Sequence, residues 1–208
     1  MKFFEYVANN GPELLGMAID HLLMVAAGLA LALLVGVPLG MVGAKRERLG
    51  RVIVGCANVI QVFPSLALLA ILMLLLGLGF KTVVVGLFLY SLLPIIKNTM
   101  VGLREVDRSV TDAGVGIGMS PWQLLWKVQF PLSLPFLMAG IRVSAVIAIG
   151  VATIAPLIGG DGLGKEIYAG INFRNDTRIY AGAIPAALLA LGADALFGRW
   201  ERKLRARA

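Results

Sequence analysis

One stretch of the chain carries residue types that could bind a nucleotide phosphate. Gly159 to Glu166, read as GGDGLGKE, nearly matches the phosphate-binding loop GxxxxGK[ST]. In that loop, backbone amides and the lysine hold phosphate, while the final hydroxyl holds magnesium. Here Glu166 replaces the hydroxyl, and the stretch follows an apolar run rather than a β-strand. Nucleotide binding is therefore not predicted, and we expect a flexible turn.

Other kinds of catalytic chemistry have few candidate side chains. The chain has one histidine, His21, which lies beside Asp20, and one cysteine, Cys56. One histidine makes a Ser-His-Asp site implausible, and the sequence shows no metal-ligand cluster. We expect His21 to be solvated at a membrane interface and Cys56 to pack in an apolar run. The chain is predicted to have no catalytic site and to bind no cofactor or metal.

The composition is that of an integral membrane protein. Hydrophobic residues make up 59% of the 208 residues, and the mean hydropathy is +0.87, which is too apolar for an ordinary soluble domain. The net charge of +7 would suit nucleic acid, but most basic residues fall in alternate loops, as in the positive-inside rule. We therefore expect a lipid bilayer around the chain and no nucleic-acid partner. The three basic clusters are Lys45, Arg46, Arg48 and Arg51; Lys97, Arg104, Arg108 and Lys127; and Arg199, Arg202, Lys203, Arg205 and Arg207.

Five apolar stretches predict an all-α membrane protein with five spans in one transmembrane domain, residues 1–208. A span needs enough apolar residues to cross about 30 Å of hydrocarbon. With the basic clusters in the cytoplasm, the N-terminus lies outside and the C-terminus inside. The first apolar run is too long for a signal peptide and lacks a convincing cleavage site. The predicted spans are residues 18–42, 52–78, 82–102, 132–158 and 179–198.

Polar residues interrupt the second predicted span. Asn58, Gln61, Pro64 and Ser65 occur together in NVIQVFPS. Polar side chains and proline inside a span usually face protein or a water-filled path rather than lipid. Two interpretations remain open, a contribution to a pathway or gate and simple hydrogen bonding between helices.

The fourth predicted span contains a charge, Arg142. An arginine inside a membrane is costly and must find a partner or water, so Arg142 is a further pathway candidate. Candidate partners are Asp107, Asp112, backbone carbonyls of the inner loop, and a second subunit.

The loop between the third and fourth spans, residues 103–131, reads as a helix, a break and a second helix. Gly118 provides the permissive backbone at which the first helix stops. Ser120 is a predicted N-cap, Pro121 takes the first helical position, and Gln123 completes a capping box. Pro131 cannot donate a hydrogen bond to the Lys127 carbonyl, so the second helix is expected to end or kink there.

This loop resembles the cytoplasmic "EAA" loop of ABC-importer permeases, in which Glu-Ala-Ala precedes a glycine and a later Ile-x-Leu-Pro. Asp112, Ala113 and Gly114 occupy the first three positions and Gly118 the glycine position, with the family's spacing. The resemblance implies a coupling helix that fits a groove on an ATPase subunit. The residues expected to contribute are Asp112, Ala113, Gly114, Gly118, Ser120, Pro121 and Trp122.

The resemblance extends from Asn58 to Arg202 and is strongest to the osmoprotectant branch of these permeases, which carries glycine betaine, carnitine and choline. Segments such as NVIQVFPSLALLA and LPFLMAGIRVSAVIAIGVATIAPLIGGDGLG carry it. Pro156 departs from the expected small residue and would bend the outer end of the fourth span.

The resemblance implies a type I importer fold in a bacterial inner membrane and a set of partners. These are two ATPase subunits that hold ATP and magnesium, an extracytoplasmic binding protein, and a second permease that is either an identical copy or a homologue. An importer of small amino acids shares this topology and remains an alternative. A channel would need no coupling loop, and a secondary transporter would more often show internal repeats.

Overall fold

The protein is described here from a computed structural model covering residues 2–206, in which every regular element is helical. Three amphipathic or short helices lie outside the apolar spans: α1, α6 and α9. A π-helical stretch joins α7 to α8, so these form one continuous rod. The elements are α1 (Lys2–Asn9), α2 (Gly11–Lys45), α3 (Glu47–Val62), α4 (Ser65–Leu76), α5 (Phe80–Arg104), α6 (Arg108–Gly116), α7 (Pro121–Leu124), a π-helix (Leu125–Gln129), α8 (Phe130–Ala152), a 3-10 turn (Ala155–Ile158), α9 (Gly164–Asn172) and α10 (Asp176–Arg205).

The apolar helices confirm the five-span, all-α fold class. Four are long and apolar enough to cross a membrane individually: α2, α5, the α7–α8 rod, and α10. The fifth candidate span is the pair formed by α3 and α4, and these two helices meet at an angle of 97°. The prediction of one continuous second span over 52–78 was therefore wrong. Pro64 has no N–H and holds Phe63 in an extended conformation, so the helix cannot pass through this point.

Several predicted span boundaries also differ from the structure. The first span begins at Gly11 rather than near residue 18, and the fifth extends to Arg205. The fourth ends at Ala152 instead of 158, because Pro156 starts a separate 3-10 turn beyond it. Pro156 therefore does not bend the fourth span.

Pro131 does not end its helix. The rod continues through it, and the wider π-helical turn immediately precedes it at Leu125–Gln129. A π turn shifts the hydrogen-bond pattern by one residue, which accommodates the missing N–H and the ring of the proline.

The packing of α2 on α5 depends on small residues at every fourth position of α2. Gly28, Ala32, Gly36 and Gly40 follow this spacing, and all four are buried. A Cβ at Gly28 would lie 2.7 Å from the Leu87 Cβ. Backbones that approach this closely gain van der Waals contact, the main source of helix association where lipid removes the hydrophobic driving force.

The core surrounds α5, the most buried of the four spans formed by a single continuous helix, and α10 is the least buried of those four. Toward the end of the bundle that carries α9, Met24, Leu69 and Ile149 pack in one cluster. Toward the other end, Ile95 and Leu137 join a second cluster. Helix α3 packs on both α2 and α5, α4 packs mainly on α5, and much of the outer surface of both helices stays exposed.

The segment predicted to be a turn, Gly159–Glu166, leads into α9, and Glu166 lies in the first turn of that helix. Glu166 is buried and accepts hydrogen bonds from Tyr6 Oη (2.7 Å), Arg178 Nε (2.9 Å) and Arg178 Nη2 (2.7 Å). Burial alone would raise the pKa of the Glu166 carboxyl, but these hydrogen bonds outweigh it and hold the pKa below its ordinary value. The carboxylate ties α1, α9 and α10 together.

Two further local predictions were wrong. His21 is fully buried rather than solvated, and its Nε2 lies 3.0 Å from the Ile149 carbonyl oxygen. This carbonyl belongs to the last turn of α8, where helix carbonyls lack partners. His21 thus caps α8 from α2, while Cys56 is exposed rather than packed.

Candidate functional site

The inner loop contains two short helices joined by a left-handed turn at Gly118. Asp107 caps α6, because its Oδ1 accepts from the Ser109 N–H at 2.8 Å, which lowers the pKa of Asp107. At the other end, Met119 N–H donates to the Gly114 carbonyl and Gly118 N–H to the Val115 carbonyl. This is a Schellman motif, and the φ of Gly118 is +83°.

The second helix starts as the sequence predicts. Ser120 Oγ accepts from the Gln123 N–H at 3.3 Å, and Gln123 Oε1 accepts from the Ser120 N–H at 2.9 Å. Pro121 occupies the first helical position. The predicted capping box is confirmed, and it fixes the direction in which the rod leaves the loop.

The two short helices pack on each other through a glycine. Gly114 is buried, and a Cβ there would lie 2.6 Å from Leu124 Cδ1. Asp112 and Ala113 are exposed on the same helix. Gly114 therefore holds α6 against α7, whereas Asp112 and Ala113 are available to a partner.

The exposed surface of this unit is unusually apolar for a loop. Ile117 is 77% exposed and Trp122 66%, and Val115 and Trp126 are also exposed. An apolar, exposed surface of this kind marks a site of association with protein or membrane. We refer to Arg108–Trp126 as the inner-loop unit.

A second site lies at the break between α3 and α4, where Tyr90 of α5 supports the chain. Gln61 Nε2 donates to the Tyr90 carbonyl at 3.1 Å, and Tyr90 Oη donates to the Phe63 carbonyl. The break frees carbonyls at the end of α3, and Tyr90 satisfies one of them. Sequence reasoning missed Tyr90, since no local pattern relates it to a residue 27 positions away.

The four candidate pathway residues at this break have different environments. Gln61 is half-buried and anchored to α5, and Ser65 is half-buried at the start of α4. Asn58 and Pro64 are exposed, and Asn58 lines a groove with Met100 and Arg104 of α5. Only Asn58 and Pro64 are thus open to solvent, lipid or another chain.

Arg142 lies apart from this break, on α8, and pairs with α10. Its Nε lies 2.6 Å from Asp194 Oδ1 and its Nη2 2.8 Å from Asp194 Oδ2, while Nη1 lies 3.5 Å from Glu201 Oε2. Gly198 between the two acids makes room, since a Cβ there would lie 3.2 Å from Arg142 Cζ. The predicted partners Asp107 and Asp112 were wrong. The spacing of Asp194, Gly198 and Glu201, one face of a helix, was the signal that could have identified the right ones.

Comparison with known proteins identifies the family. Residues 36–206 match the family described as binding-protein-dependent transport system inner membrane component. The carnitine transport permease protein OpuCD of Listeria monocytogenes is 47% identical over 98% of this chain and 92% of its own length. The choline transport system permease protein OpuBD of Bacillus subtilis is 46% identical over 98% of this chain and 90% of its own. The chain belongs to this family of transport-system inner membrane components.

A solved structure has the same fold as this chain. The chain aligns with a structure of the inward-facing MetNI methionine ABC transporter with a TM-score of 0.80, covering 92% of this chain and 95% of that one. At 19% identity, the likeness establishes the type I importer fold alone. Membership of the family favours the importer over the channel and the secondary transporter, and its members are transport subunits.

Proposed function

We propose that this permease forms the membrane pathway of an ATP-driven importer for quaternary-amine osmoprotectants such as carnitine, choline or glycine betaine. The observation that carries the proposal is the similarity to permeases named for carnitine and choline, at 47% and 46% identity over 98% of the chain. The similarity extends over nearly the whole length of the chain rather than over one motif. The alternative, import of a small amino acid, is supported only by similarity of fold to amino-acid transporters that are 17–19% identical in sequence.

We place the inner-loop unit in the cytoplasm of a bacterium, with the chain in its inner membrane. The basic ends of α2, α5 and α10 support this orientation. Trp122 and Trp126 lie near the start of the rod and Trp200 near the end of α10, so they mark the level of one interface, while the basic residues indicate that it is the inner one. The N-terminus is then outside, and the Glu166 cluster faces the extracytoplasmic binding protein.

The inner-loop unit is the proposed contact with the ATPase, which holds ATP and magnesium while this chain binds no cofactor. Asp112, Ala113 and Trp122 offer the exposed surface, with Pro121 beside them. Three other residues stabilise the conformation of that surface. Gly114 allows the α6–α7 contact, Gly118 forms the Schellman motif, and Ser120 forms the capping box. A rigid unit at the start of a continuous rod can transmit a displacement to α8, because packed helices move as bodies.

The pathway forms between two permease copies, either identical or homologous. The exposed faces of α3 and α4, with Asn58 and Pro64, are proposed to line it or the contact beside it. A quaternary ammonium is usually held by an aromatic cage. The aromatic pairs within residues 2–206 lie in α1 and at the inner ends of the rod and α10, away from the break. Selectivity therefore rests on the binding protein.

Uptake by membrane vesicles tests this function. Vesicles would contain the permease with the ATPase and permease encoded beside it, and binding protein would be added outside with radiolabelled solute. We expect ATP-dependent uptake of at least one of carnitine, choline and glycine betaine, and none of methionine or histidine. Uptake of an amino acid in place of these amines, or uptake without ATP, would show that the assignment is wrong.

A further inference from the structure

An apolar groove of about 410 Å³ runs between the inner half of α2 and the start of the α7–α8 rod. It is separate from the break in the second span and from the Arg142 ion pairs. The residues that line it are Val37, Pro38, Met41, Val42 and Lys45 from α2, and Trp122, Leu125 and Trp126 from the rod.

The groove runs along the membrane normal rather than across the surface. Lys45 is the last residue of α2, so it lies at a membrane surface in either orientation of the chain. Val37 lies eight residues earlier, which at 1.5 Å per residue is about 12 Å deeper along the helix. The groove thus begins at the level of the lipid headgroups and extends into the hydrocarbon.

The wall opposite α2 is aromatic. The rings of Trp122 and Trp126 are in edge-to-face contact at 5.6 Å, and Phe130 lies one turn further, 5.2 Å from Trp126. Indole rings favour the headgroup boundary because they are apolar with one polar N–H. Trp122 and Trp126 line the groove, whereas Phe130 packs against the core, and the two indoles form a wall suited to an acyl chain below and a polar group above.

The mouth of the groove is positively charged. Lys45 is exposed and takes part in none of the ion pairs found within residues 2–206. Lys45 to Arg51, KRERLGR, has four basic residues and one acidic residue. Basic residues immediately beside a span attract anionic lipids.

We propose that this groove binds one anionic phospholipid, with an acyl chain along Val37–Val42 and the phosphate at Lys45. A soluble ATPase cannot reach the part of the groove that lies in the hydrocarbon, whereas a lipid chain can. The bound lipid would bridge α2 and α7, the helix that begins at the capping box. The lipid would therefore hold the inner-loop unit at the membrane surface.

Fluorescence quenching tests the proposal on the full-length chain in nanodiscs. The background is Trp200→Phe, because Trp200 lines a different groove with Lys203. Two titrations into unbrominated lipid are compared, one with brominated phosphatidylglycerol and one with brominated phosphatidylcholine. Bromine on an acyl chain that contacts Trp122 or Trp126 quenches the fluorescence of these residues. We expect several-fold stronger quenching by the brominated phosphatidylglycerol. Lys45→Gln should remove this preference, and Arg48→Gln, which loses the same charge outside the groove, should retain it.

Two outcomes would overturn the proposal. Equal quenching by both lipids would remove the anionic preference, and no quenching by either would mean that protein covers the groove. Native mass spectrometry of the chain with unaltered tryptophans gives a second measurement, in a mixture of the same two lipids without bromine. One retained phosphatidylglycerol per chain, lost in Lys45→Gln but not in Arg48→Gln, is expected. Retention that does not depend on Lys45 contradicts the assignment.

Discussion

Arg142 and Asp194 join α8 to α10 through two parallel hydrogen bonds, 2.6 Å and 2.8 Å long. This two-bond geometry is specific to a guanidinium facing a carboxylate. Both side chains are half-buried, and Glu201 adds a third oxygen at 3.5 Å. The pair attaches α10, the least buried of the four single-helix spans, to the rod that starts in the inner-loop unit.

Arg142→Ala should lower the amount of assembled transporter several-fold, because Asp194 would be left in the bundle without its cation. Arg142→Lys should retain part of the function, since lysine keeps the charge but not the two parallel bonds. Immunoblots of purified complexes and vesicle uptake measure both effects.

The pairing itself is tested by the double variant Arg142→Leu with Asp194→Leu. Removing both charges should be less harmful than removing either one, because no unpaired charge remains. If the effect of the double variant equals the sum of the effects of the two single variants, the two residues do not interact as a pair.

Tyr90→Phe should loosen the break between α3 and α4. The hydroxyl that donates to the Phe63 carbonyl is lost, at a cost of about 0.5–1.5 kcal/mol in stability. A lower melting temperature in detergent, with altered ATP-dependent uptake, is the expected result. Tyr168→Phe is the matched control, because Tyr168 is 47% exposed and should tolerate the change. Identical behaviour of the two variants would show that Tyr90 does not support the break.

The inner-loop unit was largely predictable from the sequence because its contacts are local. The capping box joins residues three apart, and the glycine turn is specified by Gly118 itself. The number of apolar spans was predictable too, since hydropathy is a property of each segment. The break in the second span was not predicted, although Pro64 marks its position, and its 97° angle depends on packing against helices that are distant in the sequence.

The partners of the charged residues were not predictable in the same way. Arg142 and Asp194 are 52 residues apart, and Tyr6 and Glu166 are 160 apart. Hydropathy assigns each residue to a span or a loop but does not state which helices are neighbours. In the sequence, Glu166 was interpreted only as the residue that breaks the match to a phosphate-binding loop. In the structure, its carboxylate accepts hydrogen bonds from Arg178 and Tyr6.

Acid should weaken the junction of α1, α9 and α10. Since the pKa of Glu166 is held below its ordinary value, its ionised form stabilises the fold above that value. This stabilisation is lost as the pH falls through the folded-state pKa, which lies below the ordinary value of a glutamate. Melting temperatures from neutral to acid pH should fall more steeply for the wild type than for Glu166→Gln. Asp161→Asn, which alters only the exposed pair with Lys165, should follow the wild type, and a Glu166→Gln curve parallel to the wild type would contradict this account.

Gly118→Ala should impair the inner-loop unit while the chain remains in the membrane. A Cβ at Gly118 meets nothing within 4 Å, so the cost comes from its φ of +83°, about 1–2 kcal/mol for an L-residue. Gly118→Asn should be milder, because asparagine tolerates this conformation. ATP hydrolysis stimulated by solute and binding protein should fall in the same order.

Gly116→Ala provides the matched comparison for Gly118. Gly116 is also exposed with open space around it, but it lies inside α6 without a positive φ. Alanine is favoured over glycine in a helix by up to about 1 kcal/mol, so stimulated hydrolysis should be unchanged. Equal losses at both positions would show that the turn geometry is not the cause.

Cross-linking between the inner-loop unit and the ATPase tests the central claim most directly. Ala113→Cys, in a Cys56→Ala background, places a thiol on the exposed face of α6. In membranes that contain the assembled transporter, a short bifunctional thiol reagent should join this chain to a cysteine engineered in the ATPase groove. Lys165→Cys, at the end that carries α9, should give no such product. A product from Lys165→Cys, or none from Ala113→Cys in a complex that still hydrolyses ATP, would contradict the account.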